Sequence, residues 1–296
     1  MDKKKFWRKL KTEYIGKGYA IFCGLLIVLL TLSIIFFVAS KGIRTFTNDH
    51  YSVMDFLFSS KWKPDAAKPE LGTSIFIVGS IVVALGAVVI SAPISIALAI
   101  FMNLISPKLG KRFLQPALEL FVGIPSVVYG WVGVILLVPF IKKVFGGMGF
   151  SLLAGMIVLS IMILPTIASL ASDAIKTIPA DYIEASYGLG ATRWQTIYKV
   201  IVPSCKNGIL TGVVLGLARA IGEALAVQMV IGNSLKFTDG LLNPTITLTS
   251  ILTMSMANTS DGTPWNDALW SLAFLLLLIS FVFIIIIRLI GRRGER

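Results

Sequence analysis

The residues best equipped for chemistry sit inside an apolar stretch. Gly212, Gly216, Arg219 and Glu223 recur at steps of four, three and four, which on a continuous helix would align them along one face. The glycines would let a second helix approach closely. A lone charge at the centre of a membrane span costs about 2.5 to 3.5 kcal/mol on insertion scales, so such residues pair with one another or line a path. Arginine offers a planar, bidentate donor set suited to an oxyanion such as phosphate. Glu223 would then neutralise Arg219 when no anion is bound and keep a bound anion from being held too tightly, as a site that must release its ligand requires. The alternative is a structural ion pair that locks two spans together.

A second apolar stretch carries Glu119 and then Gly123, Pro125, Ser126, Tyr129 and Gly130. Pro125 removes a backbone donor and bends a helix, while a neighbouring hydroxyl can satisfy a freed carbonyl. Ser126 and Tyr129 are candidates to line a conduit, and a kink packed by glycines explains them nearly as well. Further on, Thr245, Thr247, Thr249, Ser250 and Thr253 form a hydroxyl-rich segment. It reads as a re-entrant vestibule or, more simply, as a solvated loop.

Between apolar stretches lies a polar segment at about 178–205. Pro179 can start a helix whose first turn holds Asp181 and Glu184 at its positive end. Gly188 and Gly190 interrupt that helix, and Gly190 can supply a turn with φ > 0. Thr192 is a candidate N-cap for a second short helix ending at Pro203. Trp194, Ile197, Tyr198 and Ile201 recur at spacings of three and four, which predicts one apolar face for a partner's groove. An amphipathic loop lying on lipid is the competing reading.

These residues need elements to position them, and composition says which. Of 296 residues 56% are hydrophobic and 14% charged, far too apolar for a soluble domain of this length. The fold class expected is all-α: a polytopic membrane protein with six transmembrane helices near 19–40, 74–105, 113–140, 152–171, 209–231 and 268–289. Each stretch supplies the roughly 20 apolar residues needed to cross the hydrocarbon. The chain divides into 1–70, comprising an N-terminus, first span and outward loop, and 71–296, a five-span core. The first apolar run is too long for a signal-peptide core, and its removal would break the even span count.

Lys3, Lys4, Lys5, Arg8, Lys9, Lys11 and Lys17 precede the first span, and Arg288, Arg292, Arg293 and Arg296 close the last. Both termini are therefore expected to be cytoplasmic in the cell membrane. Lys108, Lys111, Arg112 and the 178–205 segment then fall on the same side. The formal charge of +12 is thus mainly topological and does not call for nucleic acid. No P-loop motif is present, and one histidine, His50, with two cysteines, Cys23 and Cys205, cannot assemble a zinc cluster, disulfide framework or His-based triad. No cofactor is expected, and transport energy must come from a partner.

The polar segment resembles the coupling loop of type I ABC importer permeases. Glu184, Ala185 and Ser186, then Gly190, then Val200, Ile201, Val202 and Pro203 keep that loop's spacing, with Ser186, Val200 and Val202 as small departures. The stretches 123–130, 219–223 and 248–250 sharpen this to a similarity with permeases of phosphate-specific ABC importers. It runs from about Leu71 onward, and Ala224 to Val227 favour the C-type permease over its A-type partner. The resemblance implies half of a translocation pathway for inorganic phosphate. It also implies a second homologous permease, two ATPase subunits docked on Glu184, Ala185, Gly190 and Pro203, and an extracytoplasmic phosphate-binding protein. A permease for sulfate or molybdate is the alternative, and a non-transporting scaffold a more distant one.

Overall fold

A computed structural model of the chain describes residues 16–293, with the side chains of 287, 288 and 290–293 left aside. The basic residues from Lys3 to Lys11 and Arg296 lie outside it. The described chain is mostly helical. Five stretches are long and apolar enough to cross a membrane: Gly16–Thr47, Ser74–Ile105, Ser126–Phe145, Leu152–Lys176 and Pro264–Ile286. A sixth arises if Arg193–Ser204 and Lys206–Gly222, which meet at 69°, count as one bent span.

Helix α1 (Gly16–Gly42) is apolar on every side, as a helix facing lipid must be. It packs mainly along the last helix, where Phe37 meets Trp270 edge to face at 5.3 Å. Helix α2 (Ser74–Ile100) continues through a π-turn, Phe101–Ile105. A short helix, Pro107–Leu109, and a second π-turn, Gly110–Leu114, lead on to α3 (Gln115–Gly123), α4 (Ser126–Val132) and α5 (Val138–Phe145).

Helix α6 (Leu152–Lys176) is the centre of the bundle, capped by Ser151, whose side chain accepts from the Ala154 amide. Its apolar window is 67% buried against 0% for α1. One helix is core and the other is periphery. After α6 come α7 (Ala180–Gly188) and α8 (Arg193–Thr196), then α9 (Lys206–Gly222), α10 (Leu225–Val230), α11 (Leu248–Ser255) and α12 (Pro264–Arg293). A two-residue hairpin pairs Trp62 with Leu71 and Lys63 with Glu70. It closes a cluster of Phe56, Leu71, Phe76, Ile246 and Leu248 at the end of the bundle away from α7.

Two of the expected spans are not single helices. The stretch at 113–140 was expected to kink at Pro125; it breaks instead, because Ile124 and Pro125 are both extended, with ψ of 127° and 141°. Proline offers no donor and disfavours helical geometry in the residue before it. The stretch at 209–231 breaks too, at Glu223, whose φ and ψ are −72° and 127°.

Candidate functional site

Glycines set the spacing of α6 and α9. A Cβ on Gly216 would stand 2.7 Å from Ile167 Cγ1, and one on Gly212 would stand 3.0 Å from Leu170 Cβ. The close approach predicted from their spacing is present. One turn further along α9, Arg219 also reaches α6, where its Nη1 donates to Thr166 Oγ1 at 2.8 Å.

Glu223 does not share that helix face. Because α9 ends at Gly222, the carboxylate turns to the next helix, and its Oε1 accepts from the Ala226 amide at 3.1 Å. This satisfies one of the donors that a helix start leaves unpaired, with the charge sign a helix N-terminus favours. Among the described residues the ion pairs are Lys41 with Asp261, Lys61 with Glu70 and Lys176 with Asp173. The expected Arg219–Glu223 pair is absent from them.

The first break is closed locally. The Tyr129 hydroxyl donates to the Phe121 carbonyl at 2.8 Å, reaching back across Ile124 and Pro125. Ser126 opens α4 and is half-buried. Gly130 brings α4 onto α10: a Cβ there would lie 2.7 Å from Met229 Sδ and 3.0 Å from Ala226 Cα. The helices that follow the two breaks therefore touch. The Tyr129 hydroxyl also lies within electrostatic range of Arg219, so all four predicted pathway residues, Ser126, Tyr129, Arg219 and Glu223, lie at or beside the two breaks.

The hydroxyl-rich segment is not a solvated loop. Thr245, Thr247, Thr249 and Ser250 are buried, and the Leu248 amide donates to Ser80 Oγ on α2 at 2.8 Å. Thr249 Oγ1 donates to the Glu223 carbonyl at 2.8 Å, and Thr253 Oγ1 to Gln228 Oε1 at 2.6 Å. The segment folds back into the bundle with Thr249 satisfying a backbone carbonyl at the second break and Thr253 and Leu248 bonding the neighbouring Gln228 and Ser80 side chains. Thr166 and Gln228 escaped sequence reasoning. A hydroxyl directly after Pro165 in an otherwise apolar helix was the available signal for Thr166.

The 178–205 segment forms two short helices, as predicted. Gly190 has φ +79°, and Thr192 makes a full capping box with Gln195. Ser186 and Thr196 join the helices through their hydroxyls at 2.9 Å. Ala185, Gly190 and Pro203 line an open cavity of about 800 Å³, while Glu184 is exposed beside it on α7. The predicted apolar face divides. Ile197 and Ile201 are buried with Ala99, Ala171 and Ile175, whereas Trp194 and Tyr198 remain exposed. Pro203 does not end the unit by itself; a π-turn at Ile197–Ile201 precedes it and the bend follows at Cys205.

The family model for binding-protein-dependent transport system inner membrane components matches residues 91–296. The chain belongs to this family. It is 47% identical to a probable ABC transporter permease protein, YqgH, of Bacillus subtilis (strain 168), over 96% of this chain and 92% of that one. To the phosphate transport system permease protein PstC of Pasteurella multocida (strain Pm70) it is 32% identical, covering 94% and 90%. Its fold matches a chain of a bacterial ABC transporter that imports the acidic polysaccharide alginate, with a TM-score of 0.65 over 99% of this chain and 100% of that one at 14% identity. The fold is that of a type I ABC importer permease, an all-α polytopic membrane protein.

Proposed function

We propose that this chain is the permease subunit of an ATP-driven importer of inorganic phosphate, forming half of the translocation pathway. Arg219 carries the reading: a guanidinium held by the neutral hydroxyl of Thr166, with no ion pair among the described residues, beside two broken helices. Arginine keeps its charge in such surroundings, and its unengaged donors match a tetrahedral oxyanion. Ser126 adds a hydroxyl and Tyr129 its ring edge on the helix after the first break, the Tyr129 proton being held by the Phe121 carbonyl. Glu223 holds the second break open and places a negative charge near the path, which favours release. Relatives named as phosphate permeases support phosphate over sulfate or molybdate.

The family supports a reading of the remaining assembly. A second homologous permease completes the pathway, and an extracytoplasmic phosphate-binding protein supplies the cargo. Two ATPase subunits dock on the coupling segment, one on each permease, with Glu184, Ala185, Gly190 and Pro203 at the contact. Both termini and the coupling segment are cytoplasmic by lysine and arginine bias. Residues 1–70 form an accessory span beside a core of 71–296.

The test is ATP-dependent uptake by the intact complex in proteoliposomes, using labelled phosphate and labelled sulfate. Phosphate uptake without sulfate uptake is expected, and the reverse would overturn the reading. Arg219→Gln should reduce phosphate uptake about 10- to 100-fold, the value of one hydrogen bond to a charged group. Arg219→Lys should be impaired too, since an ammonium loses the planar fork. Gly190→Pro should abolish coupling while sparing membrane insertion, because proline cannot adopt the positive φ found there.

A further inference from the structure

A second polar cavity, of about 260 Å³, lies at the coupling end of the bundle. It is lined by Lys111, Lys176, Asn103, Gln115, Ser172 and Gly110, among others, and no carboxylate is among its lining residues. Its walls come from four places: the π-turn after α2, the short helix and second π-turn at 107–114 that carry Gly110 and Lys111, the start of α3 and the last turns of α6. Gly110 lets these approach, since a Cβ there would press on the Met102 carbonyl.

The charge inventory is one-sided. Lys111 makes no ion pair among the described residues, and Lys176 pairs only with Asp173, at 3.1 Å and with both side chains substantially exposed. An exposed pair of that kind is easily exchanged for another partner. Arg112 lies over the Phe113 ring at 5.5 Å and so is already engaged nearby. At the cavity floor, Ser172 is 2% exposed and accepts from Asn103 Nδ2 at 2.8 Å, leaving its own proton to donate. Two lysines and a buried hydroxyl line one space, and the carboxylates beside it are already engaged: Asp173 by Lys176, and Glu119, which accepts from Gln115 Nε2 at 3.3 Å.

We infer that this cavity binds a phosphoryl oxyanion, held between Lys111 and Lys176 and contacted by Ser172. Lysine binds phosphate as a point charge and needs no fork geometry. The anion can come from free inorganic phosphate or from the headgroup of an anionic phospholipid, which basic clusters beside a span attract. Occupancy would have a mechanical consequence. Arg193 of the coupling segment donates to the Leu104 and Ile105 carbonyls, at the end of the same π-turn that carries Asn103. An anion bridging Lys111 to Lys176 therefore fastens the seat on which the coupling segment rests. The inference does not depend on which cargo the importer carries.

The test uses the intact importer complex in nanodiscs, with Gln115→Cys as reporter in a Cys23→Ala, Cys205→Ala background. Thiol modification of this chain is followed by mass spectrometry under three conditions: phosphatidylcholine nanodiscs in potassium chloride, the same with inorganic phosphate at matched ionic strength, and nanodiscs containing phosphatidylglycerol. At a ligand concentration twice its Kd, modification should slow about threefold. Slowing by phosphate assigns the site to the free anion, and slowing only by phosphatidylglycerol assigns it to a headgroup. Either effect should disappear in Lys111→Gln, Lys176→Gln, whose assembly is checked by ATPase activity. Equal rates under all three conditions, or slowing that survives in an assembled double variant, would overturn the proposal.

Discussion

The break at Ile124 and Pro125 and the break at Glu223 have similar backbone shapes and are held in different ways. The residue after each preceding helix is extended, with ψ of 127° at both Ile124 and Glu223. The first is closed from within its own segment, by Tyr129 donating back to Phe121. The second also draws on distant chain: Thr249 from the re-entrant segment donates to the Glu223 carbonyl, while the Glu223 side chain on Ala226 and its amide on the Ala220 carbonyl, at 3.4 Å, work locally. A proline makes the first break intrinsic. The second exists because tertiary partners satisfy it, so it is the one that a bound partner or cargo can shift.

The largest effect should come from the contact that joins the two breaks. Gly130→Val would drive a branched side chain into Ala226 and Met229, whose atoms already lie 3.0 and 2.7 Å from an added Cβ. Overpacking of this kind costs about 1 to 3 kcal/mol. Thermal unfolding of the purified complex should shift down accordingly, and uptake should fall with it. A variant with unchanged melting and uptake would mean that the breaks work independently.

Next in size are the two hydrogen bonds that distinguish the breaks. Thr249→Val and Tyr129→Phe each remove one neutral donor, worth about 0.5 to 1.5 kcal/mol. Their stability costs should be similar while their transport costs differ. Thr249→Val should depress phosphate uptake several-fold more than Tyr129→Phe, since it frees the break beside Arg219. Equal uptake by the two would remove the asymmetry. Pro125→Ala should cost less than either, because Tyr129 remains to hold the carbonyl.

How much of this was legible follows from the same contrast. The first break could be read from Pro125, although the sequence suggested a kink rather than an interruption. The second was missed: Arg219 and Glu223 at i and i+4 read as one helical face, and Gly222, a local sign of a helix end, is outweighed by the apolar run that continues past it. The chain ends the helix there because Glu223 caps the next one and Thr249, 26 residues later, takes its carbonyl. The 178–205 segment was nearly all legible, since Gly190 and the Thr192 capping box act within a few residues. Its apolar stripe was misread in part because periodicity shows a face but not which neighbour covers it. Ile197 and Ile201 turn inward and Trp194 and Tyr198 do not.

The smallest effect should lie far from both breaks, where the loop after α1 meets the start of α12. Burial pushes the Asp49 carboxyl above the ordinary carboxylate range; the charge of Asp267 adds to this and His50 partly opposes it. Asp49 Oδ2 and Asp267 Oδ1 are both shielded from solvent without a hydrogen-bond partner, so charging Asp49 is unfavourable in the folded state. With its pKa raised on folding, the native protein holds this proton more tightly than the unfolded chain does. The corresponding stability is present below the unfolded value, about 3.9, and is lost as pH rises through the higher folded value. Asp261 has the opposite sign: the Lys41 ammonium holds its carboxyl low, so its contribution is lost as pH falls. Asp49→Asn imitates the protonated form and should raise the melting temperature at neutral pH while changing little at pH 4. Uptake should be unaltered, because Asp49 touches neither break. A melting gain of equal size at both pH values would mean that charge at Asp49 is not the cause, and altered uptake would extend the coupling between the breaks to the far end of the bundle.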